Sequence, residues 1–420
     1  RVCLFSGGNP CAGALPPTRL RDSQNAPTTL NGDSMNIITT TKGLEKACDD
    51  LLQNPYMAVD TEFMRETVYW PQLCLIQAAG GPTEVIIDPL ADGLDLEPFW
   101  ELMADERIIK VFHAARQDLE IFFHRGGDSL IPHPMFDSQV AAMALGLGDS
   151  IAYDALVKAL LKRPIDKGPR FTDWSRRPLS DAQLEYAMAD VTHLRDLYPI
   201  MQERLEKKGR AEWLAEEMKI LTNPETYRLD PEESWRRMKL RKNSPKWLAA
   251  LRAAAAWRET EAQTRDMPRQ RVMKDDAIYE IAGVAPTTPD QLTGLRAVPK
   301  GFERSSPARR LFEKMSAALA EPEAYAPKYE KSAPQPQGTG PTVELLKVLL
   351  KFVAEDAGVA PRLIATVPDL EKIASGDDED VAAMTGWRRD VFGEPARRLK
   401  RGELSLTLKD GKVCVTEVKA

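Results

Sequence analysis

The 420-residue sequence is poor in cysteine and histidine, and neither residue is spaced for a structural metal. Cys3, Cys11, Cys48, Cys74 and Cys414 are scattered, odd in number and without a C-x-x-C pair. That pattern excludes a disulfide framework and fits a reducing, cytoplasmic setting. His113, His124, His133 and His193 show no zinc-ligand spacing with cysteine. No apolar run approaches the ~18 residues that a membrane helix needs. A phosphate loop of the G-x-x-x-x-G-K type is also missing, which excludes nucleotide-driven motors built on it. Net positive charge is lacking too: 57 Lys and Arg stand against 63 Asp and Glu, for a formal charge of −6. Any polyanionic partner must therefore be met by a local concentration of basic residues.

What is present is ordinary globular composition, 43% hydrophobic and 29% charged, over a length that suggests roughly two to four domains. Residues 1–34 are rich in Gly, Pro, Asn, Ser and Thr without strand or helix period, and read as a disordered extension. The patterned chain opens at Met35, which is the expected natural start. Within 35–208, Thr41 can cap a helix over 44–52. Short apolar runs at 56–60, 73–79 and 84–88, bounded by Pro or Gly, predict strands in an antiparallel meander. A helix near 96–103, a strand at 108–112 and helices at 115–124, 138–145 and 152–161 follow. A long helix then runs over 181–207, capped by Ser180. Strands followed by helices predict an α/β mixed sheet with helices on its faces.

Beyond about residue 212 strand signals vanish until the tail. A linker at 209–227 is expected to lead into two all-α modules, 228–308 and 309–402. The second is interrupted by a loop at 326–341 that is dense in Pro, Gly, Lys and Gln. Residues 403–420 alternate around Asp410-Gly411, the signature of a hairpin. The missing basic concentration lies in the first module. From Trp235 to Lys274 there are 12 Lys or Arg against 3 Asp or Glu, a net charge of +9. Arg236, Arg237, Lys239, Arg241 and Lys242 lead that stretch, and Trp235, Trp247 and Trp257 lie within it. It reads either as a helical bundle with a solvated charged face and a tryptophan core, or as a salt-sensitive platform for a phosphate backbone.

Three small groups of residues carry possible chemistry. Asp60-Thr61-Glu62 ends an apolar strand, and alternation points both carboxylates to one face. Such a pair can ligate a hard cation. Asp118 follows a buried strand in the first turns of a helix, where a carboxylate is also simply favoured by the helix dipole. Tyr186 and Asp190 share a helix face through their i, i+4 spacing.

Taken together and in this order, these groups resemble the DEDD exonuclease superfamily. Tyr-x-x-x-Asp marks its tyrosine subclass; the histidine subclass would need His at position 185, which is Glu. The runs Asp60-Thr61-Glu62-Phe63-Met64-Arg65, Tyr69-Trp70-Pro71-Gln72-Leu73-Cys74-Leu75-Ile76-Gln77, Phe112-His113-Ala114, Asp118-Leu119-Glu120 and Asp173-Trp174-Ser175-Arg176-Arg177-Pro178-Leu179 resemble the ribonuclease D family. The likeness covers nearly everything after Met35. Segments 233–240, 248–258 and 268–281 resemble the HRDC nucleic-acid-binding module, and 309–402 looks like a diverged second copy. An acidic insert at 377–380 sets that second copy apart.

The resemblance implies an RNase H-like α/β exonuclease domain followed by two HRDC domains. It implies a 3′→5′ exoribonuclease that trims precursors of tRNA and other small structured RNAs and releases 5′-mononucleotides. Two divalent ions, Mg²⁺ or Mn²⁺ and about 3.5–4 Å apart, would serve the hydrolysis. Asp60, Glu62 and Asp190 would hold the first, Asp60 would bridge to the second, and Asp118 would reach the second directly or through water. Tyr186 would orient the attacking water, since a phenol with pKa near 10 is a poor base at neutral pH. Phe63, Phe171 and Trp174 could stack on bases or pack in the core. Arg170, Arg176 and Arg177 could meet phosphate or solvent. A cytoplasmic monomer with no obligate protein partner and no membrane contact is expected. A DNA exonuclease is the alternative with the same carboxylates, and an inactive nucleic-acid adaptor is the alternative of another class.

Overall fold

A computed structural model describes residues 37–127, 129–165, 168, 172–328 and 339–418. The expected extension 1–34, Met35, Arg170, Phe171 and most of the expected loop 326–341 lie outside those residues. The chain divides into two compact units. One comprises Ile37–Ala142 with Ile151–Ala333, and the other includes Met143–Ser150 and Pro334–Ala420.

The first unit is built on a six-stranded sheet of order β1-β4-β3-β2-β5-β6. Its strands are β1 (Ile37–Ile38), β2 (Tyr56–Met64), β3 (Gln72–Gly80), β4 (Thr83–Ile87), β5 (Ile109–Phe112) and β6 (Met135–Asp137). The expected meander is present, β2 antiparallel to β3 and β3 to β4. β1 joins β4 in parallel, and β5 and β6 extend the other edge in parallel. The mixed sheet covered by helices is therefore the observed architecture. β1 and β6 have only 2 and 3 residues, too few to show a period-2 pattern in the sequence. The centre of the sheet is dry: Met57, Ala58, Val59, Cys74, Leu75 and Ile76 are 0% exposed.

The covering helices are α1 (Thr41–Leu52), α2 (Glu97–Ala104), α3 (Arg116–Arg125), α4 (Ser138–Ala144), α5 (Tyr153–Leu161) and α6 (Asp181–Lys207). α1 is capped by Thr40 and not by Thr41. The Thr40 hydroxyl accepts from Gly43 N at 3.2 Å, while the Thr41 hydroxyl accepts from Asp95 N at 3.0 Å. α6 is capped as expected, with Ser180 and Gln183 forming a reciprocal capping box. It lies across β2, β3 and β4. Within 209–227 the chain forms α7 (Ala211–Leu221), which buries Leu214 and Met218 four residues apart.

The first helical module follows in the same unit. It contains α8 (Pro245–Thr264), α9 (Arg269–Val272), α10 (Asp275–Val284), α11 (Pro289–Leu292), α12 (Ser306–Ala320) and α13 (Pro322–Tyr325). Trp235, Trp247 and Trp257 are 6%, 6% and 2% exposed and join one apolar cluster with Ile278, Ile281, Leu311 and Met315. The tryptophans are core. The cluster runs on through Ala318, past the boundary expected at residue 308, because α12 lays Ala308, Leu311, Phe312, Met315 and Ala318 against α8.

In the other unit α14 (Thr339–Ala357) packs on α15 (Pro361–Ile364) and α16 (Val367–Ser375). There the Ala360 and Arg362 N–H groups donate to the Met143 carbonyl and an Asp149 carboxylate oxygen, each at 2.9 Å. After α17 (Gly386–Arg388) and α18 (Glu394–Lys400), β7 (Leu404–Lys409) and β8 (Lys412–Glu417) form the expected hairpin. Its Asp410 and Gly411 both have positive φ, as a tight primed turn requires. Among the described residues no helix is long and apolar enough to cross a membrane.

Asp137, at the end of β6, ties the β5–α3 turn to the start of α4. Its carboxylate is 2% exposed and accepts from Ala114 N (3.0 Å), Ala115 N (2.8 Å), Gln139 N (2.8 Å) and Val140 N (3.3 Å). Replacing Asp137 by Ala is expected to cost about 2–3 kcal/mol in urea unfolding, since buried donors lose a charged acceptor. Asp137→Asn should cost less, because one acceptor oxygen survives.

Candidate metal centre and active site

The site forms where β2, α3 and α6 converge. Asp60 and Glu62 occupy alternate positions of β2. The ladder to β3 shifts register between Glu62 and Phe63, and such a bulge re-aims the side chains beside it. α6 brings Asp190 over the strand, so that ligand oxygens of Asp60, Glu62 and Asp190 all lie within 4.8 Å of one another. Three carboxylates at that spacing suit a hard divalent cation, which takes oxygen ligands and completes its shell with water. Tyr186, one turn earlier on α6, is half-buried and hydrogen-bonds Asp190.

Asp118 enters from the other side. It sits in the first turn of α3, 7% exposed, and accepts from the Thr61 hydroxyl at 2.5 Å. The turn that launches α3 has Ala114 at φ 60°, with Asp137 holding the Ala114 and Ala115 N–H groups. Asp118 is therefore not one of the close trio, but its charge acts directly on Asp60.

The electrostatics follow from burial and crowding. Burial, then the charges of Asp118, Asp190 and Glu62, push the Asp60 carboxyl well above the usual carboxylate range. Burial pushes Asp118 up to about 7 against the opposing Thr61 hydrogen bond. Tyr186 is raised by burial, then by Asp190, Glu62 and Asp60, so its phenol keeps its proton at neutral pH and serves as a donor. Burial lowers His113, whose Nδ1 shares a hydrogen bond with the Ser138 hydroxyl at 2.9 Å.

Asp60, Tyr186 and Asp190 open onto a cleft of about 320 Å³ that is also lined by His113, Gln139, Tyr153 and Asp154. The Tyr153 hydroxyl donates to the Asp190 backbone carbonyl and so fixes that turn of α6. Thr61, His113, Tyr153 and Asp137 were not singled out from the sequence. Each acts by a contact across 22 or more positions, which no local pattern reveals.

The other expected contact residues fall in different places. Phe63 is half-buried beside Glu62. Trp174 is 2% exposed and packs beside Tyr186, ring centres 6.2 Å apart, so it has no free face for a base. Arg177 is not available to phosphate. Its guanidinium grips Asp88 at 2.6 and 2.7 Å and donates to the carbonyls of Cys74, Trp174 and Arg176. Arg176 is exposed and pairs with Asp173. Arg236, Arg237, Lys239, Arg241 and Lys242 are exposed along one stretch before α8. Arg236 pairs with Glu233 and Arg241 lies 3.5 Å over the Tyr279 ring.

A family model for 3′-5′ exonucleases matches residues 35–206, and one for the HRDC domain matches 247–305. Ribonuclease D of Nitrobacter hamburgensis is 52% identical over 91% of this chain and 100% of its own length. The chain belongs to the ribonuclease D family. Ribonuclease D of Granulibacter bethesdensis is 48% identical over 90% of this chain and 95% of its own. The structure resembles that of Escherichia coli RNase D, an exoribonuclease involved in structured RNA processing. There the TM-score is 0.75 at 26% identity, covering 88% of this chain and 99% of that one. A protein from Bifidobacterium adolescentis shares the fold, with a TM-score of 0.63 at 23% identity over 87% of this chain and 97% of that one. As a ribonuclease D the chain is a 3′→5′ exoribonuclease, and its fold implies divalent metal use.

A carboxyl whose folded pKa lies above its unfolded value favours the folded state only while it is protonated. In chelator, the thermal stability of this ribonuclease D should therefore fall as pH rises from about 4 to about 7, between the unfolded and folded values of Asp118, and the raised Asp60 carboxyl acts in the same direction. Saturating Mn²⁺ needs ionised ligands, so the melting-temperature gain from Mn²⁺ should grow across the same window. A gain that shrinks with rising pH would contradict this account of the cluster.

Proposed function

We propose that this ribonuclease D trims 3′ extensions of tRNA precursors and other small structured RNAs, with two divalent ions, Mg²⁺ or Mn²⁺, and releases 5′-mononucleotides. The observation that carries the reading is the Asp60, Glu62 and Asp190 trio beside Tyr186 at the mouth of the cleft. Asp60, Glu62 and Asp190 would hold the first ion, and Asp118, held by Thr61, would help to hold the second. When bound, such ions lower the pKa of attacking water and stabilise the leaving oxygen. Water attacks the terminal phosphorus, the bond to the 3′-oxygen of the preceding nucleotide breaks, and that oxygen takes up a proton. Tyr186 orients the attacking water through its protonated hydroxyl and takes no proton itself. Trp174, enclosed behind Tyr186, holds the phenol ring in place. Phe63 at the β2 bulge meets the terminal base.

The exposed run from Arg236 to Lys242 meets the RNA backbone by charge and without base readout. The exonuclease domain spans 35–208 and the first HRDC domain is the bundle around α8. The module built on α14 and α16 serves as a diverged second copy. The protein works as a cytoplasmic monomer. Processing of structured RNA by the E. coli relative supports the substrate class.

The deciding experiment uses 5′-labelled 3′-extended tRNA precursor and a matched DNA oligonucleotide, with Mg²⁺ or Mn²⁺ and with chelator. Stepwise shortening of the RNA alone, abolished by chelator, is expected. Equal shortening of DNA would favour the DNA exonuclease, and retention without shortening the adaptor. Asp60→Asn should lower kcat by more than about 100-fold, beyond the 10–100-fold typical of residues that only orient a ligand. Tyr186→Phe should lower kcat by about 100-fold, as expected when a reacting water loses its orientation. The variants should retain RNA binding in a filter assay.

A further inference from the structure

The turn at residues 65–71 leaves β2 directly after the metal-binding strand positions and returns as β3. It is held from two sides. Towards α3, Arg65 pairs with Glu120 at 3.3 Å and the Trp70 ring packs on His124 with centres 4.5 Å apart. α3 is the helix that carries Asp118. Towards the first helical module, one carboxylate oxygen of Asp266 accepts from Tyr69 N at 3.0 Å and Trp70 N at 2.9 Å. The Trp70 indole N–H donates to the Gln263 carbonyl at 3.2 Å. The Tyr69 hydroxyl donates to Glu259 at 2.5 Å and accepts from Arg269 at 2.9 Å, while Arg269 grips both Glu259 oxygens.

Two features set these contacts apart from casual packing. Glu259 is 2% exposed, so its charge is removed from water and held by Arg269, with Arg237 a further 3.6 Å neighbour. A buried charge of this kind is strongly destabilising without its partners. Asp266 has φ 44°, a left-handed conformation in which glycine would be unstrained. An aspartate tolerates that conformation better than most side chains, and here its carboxylate organises two N–H groups of the exonuclease domain.

We propose that Asp266, Glu259, Arg269 and Tyr69 are positioning residues for the hydrolytic site. Through them the first helical module fixes the 65–71 turn, and the turn fixes β2, with Asp60 and Glu62, against α3, with Asp118. The module thus acts on metal loading and turnover and not only on RNA capture. The inference rests on the assignment of those carboxylates as the metal-holding groups.

Asp266→Gly is the informative variant, because it relieves the left-handed backbone while deleting the carboxylate. Asp266→Asn keeps an acceptor oxygen and the tolerated conformation, and Tyr69→Phe removes only the hydroxyl. All are made in the full chain. Thermal melts are run in chelator and across a Mn²⁺ titration. Then kcat and KM are measured on a 3′-extended RNA well below the lowest melting temperature. The inference expects Asp266→Gly to raise the Mn²⁺ concentration giving half the thermal shift about 10-fold and to lower kcat about 10-fold, the scale seen when partners of ligands are lost. Its KM should stay within about 2-fold. Asp266→Asn should restore both quantities to near wild type, and Tyr69→Phe should fall between. A wild-type Mn²⁺ midpoint and kcat in both Asp266→Gly and Tyr69→Phe would overturn the inference, whatever their melting temperatures. A rise in KM alone would also overturn it, leaving the module as an RNA-capture element. Absence of any Mn²⁺ shift and of RNA shortening in the wild-type protein would instead overturn the metal-site reading on which the inference rests.

Discussion

Carboxylates within 4.8 Å of one another repel, and burial strengthens the repulsion because less water screens it. The protein holds Asp60, Glu62 and Asp190 together by placing them on elements that cannot easily separate. β2 is hydrogen-bonded on both sides, to β3 and to β5. α6 is a 27-residue helix with a complete capping box, packed across three strands. Burial raises the pKa values of Asp60, Asp118 and Tyr186, and the crowded carboxylates add to it for Asp60 and Tyr186. A divalent cation held among these carboxylates would relieve the crowding.

Residues that do no chemistry maintain that crowding. Asp137 gathers the N–H groups that launch α3 and α4, and so places Asp118. Thr61, on the opposite face of β2 from its neighbours Asp60 and Glu62, reaches Asp118. Tyr153 pins the turn of α6 that bears Asp190. Arg177 clamps the loop carrying Trp174 to Asp88 and to the β3 carbonyl of Cys74. Trp174 then backs Tyr186. An arginine and a tryptophan that could have faced a nucleic acid are thus part of the wall of the site.

The first helical module divides its charges in the same way. Arg236, Arg237, Lys239, Arg241 and Lys242 are exposed, where they can meet a polyanion. Arg258, 6% exposed, pairs with Asp275 at 2.5 Å, and Arg269 is committed to Glu259. A net charge of +9 over one stretch therefore overstates what is free to bind, because Arg236, Arg252 and Arg258 pair with Glu233, Glu232 and Asp275, acids outside that stretch.

The sequence by itself determined the longer strands and helices of the exonuclease domain in their order, the α6 cap, the hairpin at Asp410-Gly411 and which of the acidic side chains share a face. These are local: strand alternation aligns Asp60 with Glu62, helical periodicity aligns Tyr186 with Asp190, and cap and turn residues act within four positions. It left β1 and β6 unseen, since strands of two and three residues are made by their neighbours and not by their own pattern. It placed the first helical core short of α12, because only packing on α8 shows that α12 belongs to it. The tertiary structure alone decided that Asp118 meets Thr61, that Trp174 and Arg177 are enclosed, and that Asp266 and Glu259 hold the turn after β2. The contacts of Asp118, Arg177, Glu259 and Asp266 join residues 57 to 197 positions apart. Their energy comes from burial and charge pairing that exist only once the chain has folded.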